Sequence, residues 1–174
     1  MQYDPSAYLN QVLVADPFFK SAQGSFFVFR KLEQDVKGFK RAEEALAVEL
    51  GLQGEDKERA GAMIVGRFED GTPVEVAHEA GLIGNQTYNN FKYNMDDASK
   101  CPYHAHIRKT NPRNDISESK EAVMARRGIP YGKRKDNIFD GNTDSKPTHN
   151  VGLLFQSYQK SIETQFERIQ KDWA

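Results

Sequence analysis

With a single cysteine, Cys101, among 174 residues, the chain can form no internal disulfide and no cysteine-rich zinc centre. That lone thiol reads as a small, half-buried hydrophobe. Excess charge of either sign is missing too: 24 Lys and Arg stand against 25 Asp and Glu, a formal net charge of −1. Nothing global therefore argues for a nucleic-acid partner or an anionic membrane surface. No apolar run approaches the ~20 residues that span a bilayer. The opening Met1-Gln-Tyr-Asp-Pro lacks the apolar stretch of a secretory leader, so the expectation is a cytoplasmic protein with no membrane partner. Internal repeats and low-complexity tracts are absent as well.

What remains is a chain of one-domain length, large enough for a core. Hydrophobic residues make up 38% and charged residues 28%, a polar balance that calls for long surface loops. Asp-Pro at 4–5 and again at 16–17 disfavours helix before each proline, so residues 1–23 read as an irregular lead-in to a domain over 24–174. The apolar, aromatic run Gly24-Ser-Phe-Phe-Val-Phe-Arg30 reads as a strand. Residues 33–50 read as a helix, with Leu32, Val36, Phe39, Leu46 and Leu50 near helical spacing and Gly51 as its stop. A second helix is predicted over 55–65, and a turn-rich connection over 66–73.

Residues 84–100 read as a long loop anchored by Phe91 and Tyr93, and 104–108 as a short strand. Polar loops are expected over 110–119 and 132–149, around a strand at 122–127 that ends at Gly128. The run Val151-Gly-Leu-Leu-Phe-Gln-Ser-Tyr158 is the clearest strand. A terminal helix over 161–173 has Ser161 as its N-cap and Ile162, Phe166, Ile169 and Trp173 on one stripe. Strand, helices, three strands and a helix point to an α+β fold, an antiparallel sheet with helices on one face.

Of the four histidines, His104 and His106 are two apart in the predicted strand and would share a face. Such a pair suits a mononuclear metal site, but no third ligand is close in sequence. The alternative is two partly buried histidines satisfied by backbone. The surrounding run, Cys101-Pro-Tyr-His-Ala-His106-Ile-Arg-Lys-Thr-Asn-Pro-Arg113, follows the histidine at once with cations and a turn. A neutral imidazole is the commonest protein metal ligand, and a proximal histidine is one way to hold haem iron.

That run closely resembles the haem-ligand segment of the dye-decolorizing peroxidases, with the ligand falling on His106. Arg126-Arg-Gly-Ile-Pro-Tyr-Gly132 resembles the family's distal-arginine segment, and the arginine falls on Arg126. Gly152-Leu-Leu-Phe155 resembles the strand lining the distal pocket, which implicates Leu153 and Phe155. The stretch 161–170 is similar to the family's terminal helix, and its acidic position falls on Glu163. Residues 24–36 and 66–73 resemble the first strand and helix and the Gly-Arg turn of the family's C-terminal half. The likeness runs in order over about residues 24–173.

The resemblance implies a ferredoxin-like C-terminal half that binds haem b and uses hydrogen peroxide to oxidise dyes or phenols. His106 would ligate the iron, and Glu163 would accept its other imidazole N–H, which fixes the tautomer and raises basicity. Arg126 would stabilise the departing oxygen's charge, and Leu153 and Phe155 would keep that side dry. By themselves, Arg126 and Arg127 also read as a solvated pair closing a strand, and Glu163 as a first-turn helix acid. Arg108, Lys109 and Arg113 are candidates for the haem propionates. Tyr103, Tyr131 and Trp173 are candidates for relaying electrons from bulky substrates. The family's Gly-x-x-Asp-Gly segment, with its distal aspartate, has no counterpart here; Asp70-Gly71 belongs to the Gly-Arg turn. The expectation is therefore a partner, either an N-terminal-half chain or a second copy, meeting an apolar sheet face. The alternative is a non-catalytic haem-binding or interaction module.

Overall fold

The computed structural model describes residues 9–82, 89–113, 120–137 and 141–173, apart from the side chains of Glu55, Asp172 and Trp173. It divides into two compact units. The first takes Met1–Lys37 and Lys120–Asp172, and the second takes Gly38–Ser119 and Trp173–Ala174.

The first unit is built on a three-stranded antiparallel sheet. Its strands are β3 (Phe26–Glu33), β4 (Ala125–Tyr131) and β5 (Gly152–Gln159), in the order β3-β5-β4. Aromatic and apolar side chains favour extended backbone in β3 and β5. The register pairs Phe155 with Arg30 on one side and Gly128 on the other, and pairs Ser157 with Val28 and Arg126. Gly152 closes the far end of β5, where a Cβ would sit 1.9 Å from the Leu32 carbonyl oxygen. Ahead of the sheet, a 3-10 turn at Leu9–Gln11 leads into a two-residue ribbon, β1 (Val14–Ala15) with β2 (Gln23–Gly24).

After the sheet, Ser161 caps the terminal helix as expected, its Oγ accepting from the Thr164 N–H at 3.2 Å. That helix runs through Ile162–Glu167 and Ile169–Trp173 with the wider π hydrogen-bond pattern. Phe166 meets Phe155 with ring centroids 6.0 Å apart, so the helix lies on the sheet face that carries Leu153 and Phe155. The opposite face leaves Phe27, Phe29, Ile129 and Tyr158 each more than two-fifths exposed. The α+β reading with an antiparallel sheet therefore holds. The strand expected over 122–127 sits further on, because Gly128 and Pro130 are tolerated on this edge strand. In the loop that follows, Lys146 is buried, donates to the Asn137 carbonyl and sits 3.8 Å from Asp136, whose carboxylate also pairs with Arg134.

The second unit holds most of α1 (Val36–Glu49), a 3-10 turn at Gly54–Lys57, α2 (Glu58–Val65) and α3 (His106–Thr110). Ala62, Phe68 and Val74 make one small core, and Tyr93, Cys101 and Ala105 another. Phe91 joins the second core and meets Tyr93 edge-on, so the expected loop anchors are both in place. The loops expected over 84–100 and 110–119 are described only at 89–100 and 110–113. In the expected turn over 66–73, Arg67 bridges Pro73, and the Asp70 carboxylate accepts from the Thr72 and Gly81 N–H groups.

Gly66 ends α2 with φ +97°, where a Cβ would lie 2.3 Å from Cγ1 of Ile107, the residue after His106. Left-handed backbone and that overlap act together. Gly66→Ala is therefore expected to cost about 2–4 kcal/mol, read from urea unfolding.

Candidate functional site

His106 is the first residue of α3, and its imidazole is exposed. This corrects the strand expected over 104–108. The Ala105 carbonyl accepts from the Arg108 and Lys109 N–H groups, and Thr110 Oγ1 donates to the His106 carbonyl. His104 precedes the helix, so the two histidines do not share a strand face. Among the described residues no three His, Cys, Asp or Glu side chains gather where a metal could be held. The two-histidine metal site thus loses its geometric basis.

Arg108 explains the helix. Only 3% exposed, it donates to the carbonyls of Asn94, Asp97 and Cys101. Its guanidinium also lies 4.4 Å from the Tyr103 ring centroid and 5.0 Å from that of Tyr93. A turn of helix brings this side chain back over the 94–101 loop, so tertiary contact overrides the local alternation. Arg113 is similarly committed: it donates to the Asn89 and Phe91 carbonyls and lies over the Phe91 ring. Of the three cations proposed for anionic groups, Lys109 alone is not tied to a carbonyl, carboxylate or ring among the described residues.

Burial pushes the Cys101 thiol up to about 11, and desolvation raises the Tyr93 phenol too. Both are inert core groups at neutral pH, as expected of Cys101. Tyr103 is exposed, with its hydroxyl donating to the Met95 carbonyl at 3.0 Å; Tyr131 lies under the Lys31 ammonium. The Trp173 side chain lies outside the described residues.

In the first unit the register settles which side chains share a face. Arg126 pairs with Ser157, Gly128 with Phe155, and Pro130 with Leu153, so Arg126, Leu153 and Phe155 all project to one side. It is the side on which the terminal helix packs. Leu153 and Phe155 are half-buried, and Arg126 is exposed. Among the described arginines, only Arg126 and its neighbour Arg127 make no side-chain hydrogen bond, ion pair or ring contact. Gly128 leaves room beside Leu153, where a Cβ would stand 3.1 Å from Cδ1. Glu163 is exposed in the first turn of the terminal helix. Four of the five expected site residues thus belong to the first unit, and His106 belongs to the second.

Sequence reasoning passed over Ser157 and Gln159, fully buried on the same row as Leu153 and Phe155. The signal was available: the alternation that singles out 153 and 155 continues to 157 and 159.

Comparison with known proteins matches residues 3–174 to the family model described as Dyp-type peroxidase, C-terminal. The chain is 50% identical to the multifunctional dye peroxidase DyP2 of Amycolatopsis sp. (strain ATCC 39116 / 75iv2), covering 99% of this chain and 39% of that protein. The solved structure of DyP2 superposes with a TM-score of 0.90 at 49% identity, again over 99% of this chain and 39% of the other. A DyP-type peroxidase from Anabaena sp. superposes at 0.81 and 40% identity, over 99% of this chain and 37% of its own. A structure described as a dye-decolorizing peroxidase with an engineered heme pocket superposes at 0.70 and 32% identity, over 87% and 38%. The chain thus spans between about a third and two-fifths of the length of the relatives it matches.

Proposed function

Since the chain belongs to the Dyp-type peroxidase family, as its C-terminal part, we propose that it carries the haem-holding portion of a peroxidase. Hydrogen peroxide is the oxidant, and dyes or phenolic compounds are the reductants. The observation that carries this reading is the shared face of Arg126, Leu153 and Phe155, with the guanidinium committed to no partner among the described residues.

These residues suit a flat, largely apolar group. Leu153 and Phe155 offer apolar surface, and Gly128, opposite Phe155, contributes no side chain to block it. His106 supplies the donor that iron favours, an exposed imidazole at the start of a helix. Bound haem b would supply the iron at which the peroxide O–O bond breaks. His106 would hold that iron through a ring nitrogen. Glu163, exposed in the first turn of the terminal helix, offers a carboxylate that would serve as acceptor for a ligand imidazole's second N–H. Arg126, with its guanidinium charged at every relevant pH, would stabilise negative charge that develops on a departing oxygen. Leu153 and Phe155 exclude water from that side, and Lys109 is the propionate partner left available. Tyr103 and Tyr131 are the candidates for carrying electrons from substrates too bulky for the interior.

The exposed aromatic side of the sheet, Phe27, Phe29, Ile129 and Tyr158, supports a partner surface. It is met by an N-terminal-half chain or by a second copy.

Haemin titration of the 174-residue chain tests the core of this reading. A saturating one-to-one Soret shift is expected, and His106→Ala is expected to abolish it. An unchanged shift in the variant would remove His106 as the ligand, and no shift in the parent would mean that this chain alone does not hold haem.

A further inference from the structure

The row that carries Leu153 and Phe155 runs on through Ser157 and Gln159. Both are 0% exposed. Yet the Ser157 hydroxyl and both polar atoms of the Gln159 amide have no hydrogen-bond partner among the described residues. Native interiors seldom leave such groups unmet, and an ordered water is the usual partner where protein offers none. Nearby Gln165 is equally buried but fully engaged. It donates to the Gln11 and Val123 carbonyls and accepts from the Ser161 N–H. Among the described side chains of the first unit, the orphaned buried atoms are confined to Ser157 and Gln159.

Their spacing has a use. Successive same-face residues of a strand lie roughly 6.8 Å apart, a gap that one water bridges with two ordinary hydrogen bonds. Ser157 is also the cross-strand partner of Arg126. Such pairs hold their Cβ atoms roughly 4.5–5.5 Å apart. The Arg126 guanidinium has donors to spare, since it binds nothing else among the described residues. Two orphaned groups and one uncommitted cation give a water the two to four polar partners it needs.

We propose that Ser157 and Gln159 hold a buried water that hydrogen-bonds the Arg126 guanidinium and fixes its rotamer. They are positioning residues for Arg126, not groups that touch peroxide. The use assigned to Arg126 rests on the peroxidase reading above; the water site itself does not.

Two measurements test this. In the haemin-loaded chain, fluoride serves as the probe, a small anion that binds ferric iron and takes hydrogen bonds from the facing side chain. Ser157→Ala is expected to raise the fluoride dissociation constant about tenfold, in line with one lost charge-assisted hydrogen bond. Haemin affinity should stay as it was, and Ser157→Thr, which returns the hydroxyl, should recover most of the loss. An unchanged fluoride constant in Ser157→Ala overturns the proposal.

The second measurement needs no haem. Gln159→Met keeps the side chain's length but strips its polar atoms. If a water is held there, the melting temperature falls by a few degrees. If the amide is simply dry, relief of the orphaned groups raises it, and the proposal fails. Should the parent chain bind no haemin, the peroxidase reading for this chain alone is what falls, and the Gln159→Met melt decides the water site.

Discussion

Replacing Arg126 with leucine is expected to slow the peroxide-induced change in the Soret band about 10²–10³-fold, the usual cost of losing one preorganised donor at a developing oxyanion. Haemin affinity should be unaffected, because the side chain is exposed and its guanidinium meets no other side chain among the described residues. Arg126→Lys separates charge from shape. It keeps the cation but loses the planar fork, so the rate should recover only in part. Stopped-flow absorbance at several peroxide concentrations gives the second-order rate directly. If Arg126→Leu reacts as fast as the parent, Arg126 has no role in peroxide cleavage, and the non-catalytic haem module becomes the better reading.

Arg108→Ala should act on stability instead. Its guanidinium donates to three loop carbonyls, and the Cys101 carbonyl among them is met in the interior. Removing the side chain leaves those acceptors short of a donor and strips the cation from between two tyrosine rings. A loss of about 3 kcal/mol is expected from urea unfolding. In a chain of this size that lowers the melting temperature by roughly 6–12 °C. Since Arg108 sits two residues beyond His106 on the same short helix, haemin affinity should fall with it. Arg113→Ala offers the comparison, for it anchors the 89–91 segment without belonging to that helix. A loss of stability in Arg108→Ala with haemin affinity intact would mean that α3 keeps His106 in place without this anchor.

These contrasts show what the residues told in advance. The sheet was legible because β3 and β5 carry short apolar, aromatic-rich runs, each opening beside a glycine, a length and composition that favour strand over helix. The Ser161 cap, the Phe91 and Tyr93 anchors and buried Cys101 were legible for similarly local reasons. The short helix at His106 was not. Five residues are too few to show helical periodicity, and His-Ala-His-Ile-Arg imitates a strand. What decides it is a buried arginine reaching carbonyls 7 to 14 residues upstream, a contact invisible to any local window. The same limit hid the roles of Arg108 and Arg113. As free cations in a string they suggest anion binding, and only folded do they prove to be occupied. Ser157 and Gln159 were within reach, since the period that marks Leu153 and Phe155 passes through both.

The pairing of β3 with β5 also sets a timetable. Phe26 meets Gln159, so at ~5–20 residues per second the ribosome needs roughly 7–27 s to deliver the partner strand. Through that interval Phe-Phe-Val-Phe waits with its backbone donors and acceptors unclaimed, and such a segment readily recruits strands from other nascent chains. Heterologous yield should accordingly respond more to translation speed and to chaperones that shelter emerging apolar strands than to the thermodynamic stability of the finished fold.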